Sequence, residues 1–484
     1  MATKKKAKKA ELRIRMYRVG FGDFFLMTVP TDDGPQHILI DCGVTPGKTK
    51  KGDIGTIKAA VAHMAEETAK NLALIIVTHR HQDHIIGFSR AAEIFNDFKV
   101  GAVWMSFWET EYDPNEKKEK KKSLASEFQE ELTALAMGMQ SRLAMAGRDD
   151  PETNEILAML ENATGIDHAE FAAKGDGASA KKPGKGGGTN AASLTFLKTG
   201  LGLEPQYYMK GDKPKMPKVL KDAGLTAQIL GPPPPDALDF MKLMDLKKGG
   251  VGQYLDEAED GNGNTFDPFG TSWYAKANEY PPSAFREFDR ESKASPGAVM
   301  EATIQAAQPS LLFMAAKTLD DFLNNQSLVV LFTFGGKKLL FAGDAQGGNW
   351  EYWMYGGTPE KAPAVDKIDK DSASILGHLD FYKVGHHGST NATPVSAVET
   401  MGGDFASMCS TQEDSFGSVA NESEVPRIPL LDALAKRSKI VRSDQFAITL
   451  PGSEVPAVEG SPKRLPIPKR GRFEKGAIYI DYFP

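Results

Sequence analysis

Val77-Thr78-His79-Arg80-His81-Gln82-Asp83-His84 is the stretch whose reading decides this chain. It places three of the nine histidines and a carboxylate between positions 79 and 84, directly after the apolar run Leu72 to Val77. Imidazole nitrogens and carboxylate oxygens are donors that a divalent transition metal such as zinc prefers. In an extended segment alternate side chains share a side, so His79 and His81 project together. If the chain then turns into a helix, Asp83 and His84 project another way. One short loop can thus serve two metals, His79 and His81 on one, Asp83 and His84 on the other. The bland alternative is a polar loop with solvated histidines; the clustering argues against it.

Outward from this loop, strands keep ending at potential ligands. Leu12, Ile14 and Met16 alternate with Arg13, Arg15 and Tyr17, the pattern of a half-buried strand. A turn at Gly20-Phe21-Gly22-Asp23, a strand over Phe24 to Val29 and a hairpin turn at Asp32-Asp33-Gly34-Pro35 follow. His37 to Ile40 is a third strand, ending at Asp41-Cys42-Gly43. Asp53 is placed to cap a helix from Ile54 to Lys70, with Ile54, Ile57, Val61 and Met64 on one face. Leu72 to Val77 is a buried strand, and Gly101 to Ser106 predicts another. Far along the chain, Ser327 to Phe334, the turn Gly335-Gly336-Lys337 and the strand Lys338 to Ala342 lead into Gly343-Asp344. Phe381 to Val384 leads into Gly385-His386-His387-Gly388-Ser389. Sites at strand ends on a rigid sheet are common in layered α/β folds.

The bulk composition fits a globular protein. The 484 residues are 41% hydrophobic and 25% charged, enough to bury a sizeable core. No apolar run is long enough for a transmembrane helix, and the lysine-rich start lacks the apolar segment of a secretory signal. Two cysteines, Cys42 and Cys409, give no disulfide framework. These features predict a cytoplasmic protein with no membrane partner. A net charge of −6 weakens a nucleic-acid reading. Lysines nevertheless cluster at 4–9, 117–122, 181–185 and 210–221. Such patches can contact phosphates inside an acidic protein, or be merely solvated segments. Residues 110–205 read as a helical and flexible insertion, with helix-forming composition from Leu124 to Met145 and a Gly/Lys linker at 181–188. Core character returns at Leu225 to Leu230; a second insertion spans 235–320; a basic tail over 451–484 closes on the apolar run Ala477 to Phe483, a candidate last strand.

The ordered set of His79, His81, Asp83 and His84, with Asp41, Gly343-Asp344 and His387, resembles the metallo-β-lactamase fold superfamily. Val19-Gly20-Phe21-Gly22-Asp23, Asn324-Asn325-Gln326-Ser327 and Lys383-Val384-Gly385-His386-His387-Gly388-Ser389 narrow the resemblance to ComEC-type metallohydrolases in stand-alone form. It covers roughly residues 12 to 110, 220 to 234 and 324 to 450. It implies a four-layer αββα sandwich spanning 1–450, interrupted by large insertions between the histidine loop and the strand before Asp344. It also implies two divalent metal ions, zinc or manganese, held by His79, His81, Asp83, His84, Asp344 and His387, with Asp344 bridging.

The implied activity is metal-dependent hydrolysis by a hydroxide between the two metals, of a nucleic acid or nucleotide-like phosphodiester. Asp83, His386 and Asp41 are the expected catalytic groups. Asp41 orients a ligand histidine, and His386 stabilises or protonates the leaving oxygen. Two departures from the superfamily stand out. A third histidine for the first metal is missing unless His168, a residue of the insertion, supplies it; Asn324 or Asn325 is the subgroup's substitute. The interval from Trp108 to Leu319 is also long enough to form a lid, a substrate-gripping surface or a contact for a protein partner. Adjacent histidines in a strand point to opposite faces, which favours His387 as ligand over His386. Ser389 and Thr390, with Asn324 and Asn325, are candidate phosphate contacts, although turn or cap chemistry explains the first two as well. Hydrolysis of a thioester, lactone or β-lactam, and a non-catalytic metal-binding partner role, remain as other readings. His37, His63 and His378 fall outside every motif.

Overall fold

The computed structural model of the chain describes residues 11–45, 56–111, 120–146, 151–165, 189–237, 309–357, 367–402, 405–417, 424–445 and 472–484. The fold is mixed α/β. Its strands are β1 (Arg13–Tyr17), β2 (Phe24–Val29), β3 (Gln36–Cys42), β4 (Asn71–Leu72), β5 (Leu74–Val77), β6 (Lys99–Val100), β7 (Val103–Ser106) and β8 (Gln206–Tyr208) in the first part of the chain. The second part carries β9 (Thr226–Gly231), β10 (Val329–Phe334), β11 (Lys337–Phe341), β12 (Phe381–Lys383), β13 (Phe405–Cys409), β14 (Ser438–Arg442), β15 (Arg472–Lys475) and β16 (Tyr479–Phe483).

β4 and β6 pair in a small sheet of their own; of the two large sheets, one has the order β15-β16-β1-β2-β3-β5-β7-β8 and the other β14-β13-β12-β11-β10-β9. Both follow one plan. An antiparallel meander (β1-β2-β3 or β9-β10-β11) passes into parallel strands reached by crossovers (β5 and β7, or β12 to β14). Alternate residues of the central strands enter different cores. Phe25, Ile38 and Ile76 of the first sheet meet Val330, Phe341 and Phe381 of the second. Phe24, Leu39 and Ile75 face instead Val61 and Met64 of the helix Ile57–Glu67 and Ile85 of the helix Gln82–Arg90. Leu331 and Leu340 face Trp350, Leu376, Val398 and Leu431 on the four helices behind the second sheet. Burial on both faces is why these strands read as continuous apolar runs.

The same burial revises β1. Arg15 is not on a wet face. It is 2% exposed, pairs bidentately with Asp481 of β16 at 2.6 and 2.7 Å, and lies 3.5 Å from the Tyr479 ring centre. The apolar close of the chain is the last strand, antiparallel to β1, so it encloses what would otherwise be a sheet edge.

The first helix begins later than predicted. Asp53 lies outside the described residues, and Thr56 is the N-cap, its Oγ accepting from the Ala59 N–H at 3.2 Å. The helix stops at Glu67 because Ala69 and Lys70 are left-handed. The run Leu72 to Val77 breaks at Ala73, whose N–H donates to the His37 carbonyl. The described part of the 110–205 insertion is helical: Lys120–Ala146, Pro151–Thr164 and Thr189–Thr195. Leu132, Met139 and Leu160 from its first two helices share a core with Trp108 and with Leu319, Phe322 and Leu323 of the helix Pro309–Asn325. The helix that ends the second insertion is thereby clamped beside the histidine loop's sheet. No helix among the described residues is long and apolar enough to cross a membrane.

Candidate metal centre

Strand β5 delivers the histidine loop, and Asp41 fixes its start. The Thr78 N–H donates to Asp41 Oδ1 at 2.8 Å and the Thr78 hydroxyl to Asp41 Oδ2 at 2.7 Å. His81 is the extended residue before the helix Gln82–Arg90, so Asp83 and His84 occupy its first turn. Backbone packs on backbone here. The Asp23 N–H donates to the Asp83 carbonyl, and a Cβ on Gly43 would sit 2.1 Å from the Asp83 carbonyl carbon and 2.2 Å from His84 N. Only glycine allows that approach.

The histidines of the loop pack together, and the His79 ring centre lies 4.1 Å from that of His84. His79 and His81 lie edge to face with ring centres 4.7 Å apart, both 1% exposed. Asp83 and His84 join Asp344 and His387 instead, and one donor atom from each of these four buried residues lies within 4.8 Å of the others. His84 Nε2 is 3.0 Å from Asp344 Oδ2 and 3.9 Å from Asp83 Oδ1; His387 Nε2 is 3.2 Å from Asp344 Oδ2 and 3.1 Å from Asp83 Oδ2. Two donors about 2.1 Å from one tetrahedral ion are about 3.4 Å apart, so these edges fit a metal.

The far ring nitrogens are held. His84 Nδ1 meets Asp41 Oδ2 at 2.8 Å, and His387 Nδ1 meets the Ser410 carbonyl at 2.8 Å. His79 Nδ1 lies 3.1 Å from the Thr78 hydroxyl and 3.3 Å from that of Ser327. Holding Nδ1 in this way turns Nε2 toward a ligand. The Nε2 atoms of His79, His81 and His84 are buried without a hydrogen-bond partner, which an ion would remedy.

Charge divides these histidines into two kinds. Burial and the neighbouring His84 push His79 well below the ordinary imidazole range; burial pushes His81 down to about 4, against the pull of Asp83. For His84 burial acts downward, but Asp344, Asp41, Asp23 and Asp83 outweigh it and hold the ring well above its ordinary value. His387 is likewise raised to about 10, its burial outweighed by Asp344, Asp83 and Asp23. Asp344 is kept well below the carboxylate range because His84, His387 and Lys383 overcome the cost of burial.

His386 and His387 do not belong to a strand. Both are left-handed (φ 40° and 51°) in a tight turn after β12, so the alternation argument does not apply to them. The turn still separates the rings, by 6.2 Å between centres, and sends His387 into the four-residue group. His386 Nδ1 meets the Ser389 hydroxyl at 2.7 Å, and that hydroxyl reaches Asn391 Oδ1 at 2.7 Å. In the tautomer this favours, Nδ1–H donates to Ser389, the Ser389 hydroxyl donates to Asn391, and His386 Nε2 accepts from Asn324 Nδ2 at 3.3 Å. Burial lowers the pKa of His386, so this ring is neutral and carries no Nε2 proton in that state.

Other predicted residues divide. Asn324 lies between His386 and Asp320, donating to Asp320 Oδ2 at 2.9 Å. Asn325 braces the fold instead. Its Oδ1 accepts from the Asn349 N–H and its carbonyl from Asn349 Nδ2. Ser389 is taken up with His386, while Thr390 is half-buried in the turn that follows. His168 lies outside the described residues, as do the lysines at 4–9 and 181–185. Of the 210–221 cluster, Lys213, Lys215, Lys218 and Lys221 are exposed. His37, His63 and His378 contact Thr28, Tyr17 and the Ser374 carbonyl, away from the motif residues.

Three site residues escaped the sequence reading. Lys383, 1% exposed, forms an ion pair with Asp23, reaches Asp344 Oδ1 at 3.2 Å and donates to the Gly343 carbonyl at 2.9 Å. A lysine within the apolar run Phe381 to Val384 was the available signal. Asp23 adds a carboxylate facing His84 and His387 at 3.8 and 3.6 Å. The third is Asp320, with Oδ1 3.6 Å from His81 Nε2; the sequence offered only its four-residue spacing from Asn324. No family model matches the chain, and no curated protein matches it.

Proposed function

We propose that the chain is a cytoplasmic metallo-β-lactamase-fold hydrolase of the ComEC-like kind, cleaving phosphodiesters of a nucleic acid or nucleotide with two divalent metal ions, zinc or manganese. The sequence of layers (helices, sheet, sheet, helices), with donors at the ends of β3, β5, β11 and β12, supports the four-layer αββα part of this reading. The observation that carries the metal part is the group Asp83, His84, Asp344 and His387, four donors converging in the interior. Bound there, divalent ions supply Lewis acidity and bring the pKa of water from about 15.7 to about 7.

The chain's own residues prepare that chemistry. Asp41 keeps a proton on His84 Nδ1 and the Ser410 carbonyl keeps one on His387 Nδ1, freeing both Nε2 lone pairs once the rings are neutral. Lys383 restrains Asp344 through Oδ1 and leaves Oδ2 facing the two histidines. Asn324, His386 and Thr390 form the polar surround for substrate oxygens. In this state His386 orients Asn324; protonation at Nε2 would make it the acid for the leaving oxygen. The exposed lysines of the 210–221 cluster support an anionic substrate.

The test is turnover of bis-p-nitrophenyl phosphate and of labelled single- and double-stranded nucleic acids, with zinc and with manganese, beside nitrocefin and a thioester. Metal-dependent phosphodiester cleavage is expected. Turnover of only nitrocefin or the thioester would move the substrate to another ester class. Bound metal with no turnover and a stable protein partner would make the chain a non-catalytic metal protein.

A further inference from the structure

We infer that Asn190 is a positioning residue of the metal centre: from the helix Thr189–Thr195 it pins the backbone of the histidine loop, so that the 110–205 insertion works as a clamp on the loop's ligands. The clamp is read from hydrogen bonds; its consequence for metal affinity rests on the metal reading above.

The loop offers backbone groups that need outside partners. His81 is the N-cap of the helix Gln82–Arg90 and makes no side-chain cap hydrogen bond, and the first N–H groups of a helix find no partner within it. The insertion supplies what is missing. Asn190 Nδ2 donates to the Arg80 carbonyl at 2.9 Å and lies 2.9 Å from the Asn162 carbonyl and 3.3 Å from that of Ala163. Asn162 and Ala163 belong to the last turn of the helix Pro151–Thr164, where carbonyls also need partners from outside the helix. One buried amide thus ties that helix end to the loop. From the same turn Asn162 Oδ1 accepts from the Asp83 N–H at 3.3 Å, so the ligand-bearing helix is capped by another helix.

The neighbouring contacts agree. Gln82 Nε2 donates to the Thr189 hydroxyl at 2.8 Å, and that hydroxyl donates to the Gly165 carbonyl at 3.0 Å. The Thr189 N–H donates to the same carbonyl at 2.8 Å. The two described pieces of the insertion therefore join each other where both meet the loop. Gly165 makes the junction possible: it is left-handed, and a Cβ there would sit 2.4 Å from Asn190 N and 2.4 Å from Asn190 Oδ1.

Arg80 is held at its other end too. Its guanidinium bonds both oxygens of Glu109, at 2.8 Å each, and Glu109 is 2% exposed. Burial acts upward on the Glu109 carboxyl, but Arg80 outweighs it and keeps it below the ordinary range. The residue between His79 and His81 is thus fixed by its side chain on one side and by its carbonyl on the other. The Asn190 Nδ2 partners are all backbone carbonyls, so Asn190 acts on the ligands through the chain that carries them. Metal ligands need placement within about 0.5 Å, and this contact sits one residue from two of the motif histidines.

The experiment measures amide hydrogen exchange of the metal-free full chain, and zinc affinity by competition with a chromophoric chelator, in wild type, Asn190→Leu and Ser193→Ala. Asn190→Leu keeps the approximate shape and removes the donors. It should speed exchange at the Asp83 and His84 amides about tenfold and leave Leu74–Val77 unchanged, with zinc affinity lower by about tenfold. Ser193 lies on the same helix but bonds Ser89 at 2.9 Å, away from the loop; Ser193→Ala should leave both readouts within about twofold. Unchanged exchange or unchanged affinity in Asn190→Leu would overturn the positioning role, as would an equal loss in Ser193→Ala. If Asn190→Leu does not fold, Asn162→Leu takes its place, with Asn162→Asp, which keeps an acceptor for the Asp83 N–H, expected to restore wild-type behaviour. Fast exchange at Asp83 in wild type overturns the clamp whether or not any variant folds. A wild type that binds no zinc defeats the proposed function instead, and the exchange comparison still decides the clamp.

Discussion

The two groups of motif histidines in this molecule are built by opposite means. Asp83, His84, Asp344 and His387 are closed in by both sheets, are at most 2% exposed, and come with their own charge balance of raised histidines and depressed carboxylates. Asp83 itself is held at about 2, its burial outweighed by His84 and His387. His79 and His81 are pushed down instead, and the Asp320 carboxylate 3.6 Å from His81 Nε2 comes from a helix outside the sheets. The contrast teaches that a rigid interior can store ligands as ion pairs ready to exchange protons for a metal. His79 and His81 are as deeply buried, but their rings are lowered rather than raised.

The strongest way to break this comparison is Asp344→Ala. Asp344 contacts His84, His387 and Lys383, so its loss should empty the closed group and reduce hydrolysis to background while circular dichroism shows an intact fold. Retained metal and activity would contradict the account. Next is Lys383→Met, which leaves Asp23 and Asp344 buried without their cation. Removing one partner of such a group costs about 3–5 kcal/mol, to be read as a lower urea midpoint for the metal-free protein. An unchanged midpoint would show that Lys383 is not the balancing charge. Asp41→Ala should weaken metal binding by about 10–100-fold through loss of the His84 Nδ1 contact, measured by chelator competition.

The smallest effect expected is the pH response. His84 and His387 are raised, so both carry protons at neutral pH and must lose them to bind a metal. Affinity at the closed group should therefore rise with pH toward about 10, with protons released into weak buffer. His79 and His81 are both lowered by burial, His81 to about 4. These two rings should therefore contribute little to the pH dependence of binding near neutral pH. An affinity that does not change with pH would erase the distinction.

How much of this was legible follows the same division. Strand-end polar residues such as Asp41, His79, Asp344 and His387 stood out because a short apolar run followed by a polar donor is a local pattern. The burial of Arg15 was not legible, because its partner Asp481 is 466 residues away. Lys383 was hidden for a similar reason: its two carboxylates come from the ends of other strands. Asp320 left no readable mark, since its meaning depends on how the insertion helices pack, and nothing local fixes that. Alternation also failed at His386 and His387, where left-handed backbone replaces the strand. His387 reached the ligand group by a route the pattern did not describe.

The most direct test of the central claim is the metal content of the wild-type chain after equilibrium dialysis against zinc or manganese, compared with the His84→Ala/His387→Ala double variant. The account predicts about two ions per chain in wild type and loss of the ion held by the closed group in the variant. Equal metal content in the two proteins, or none in wild type, would contradict it.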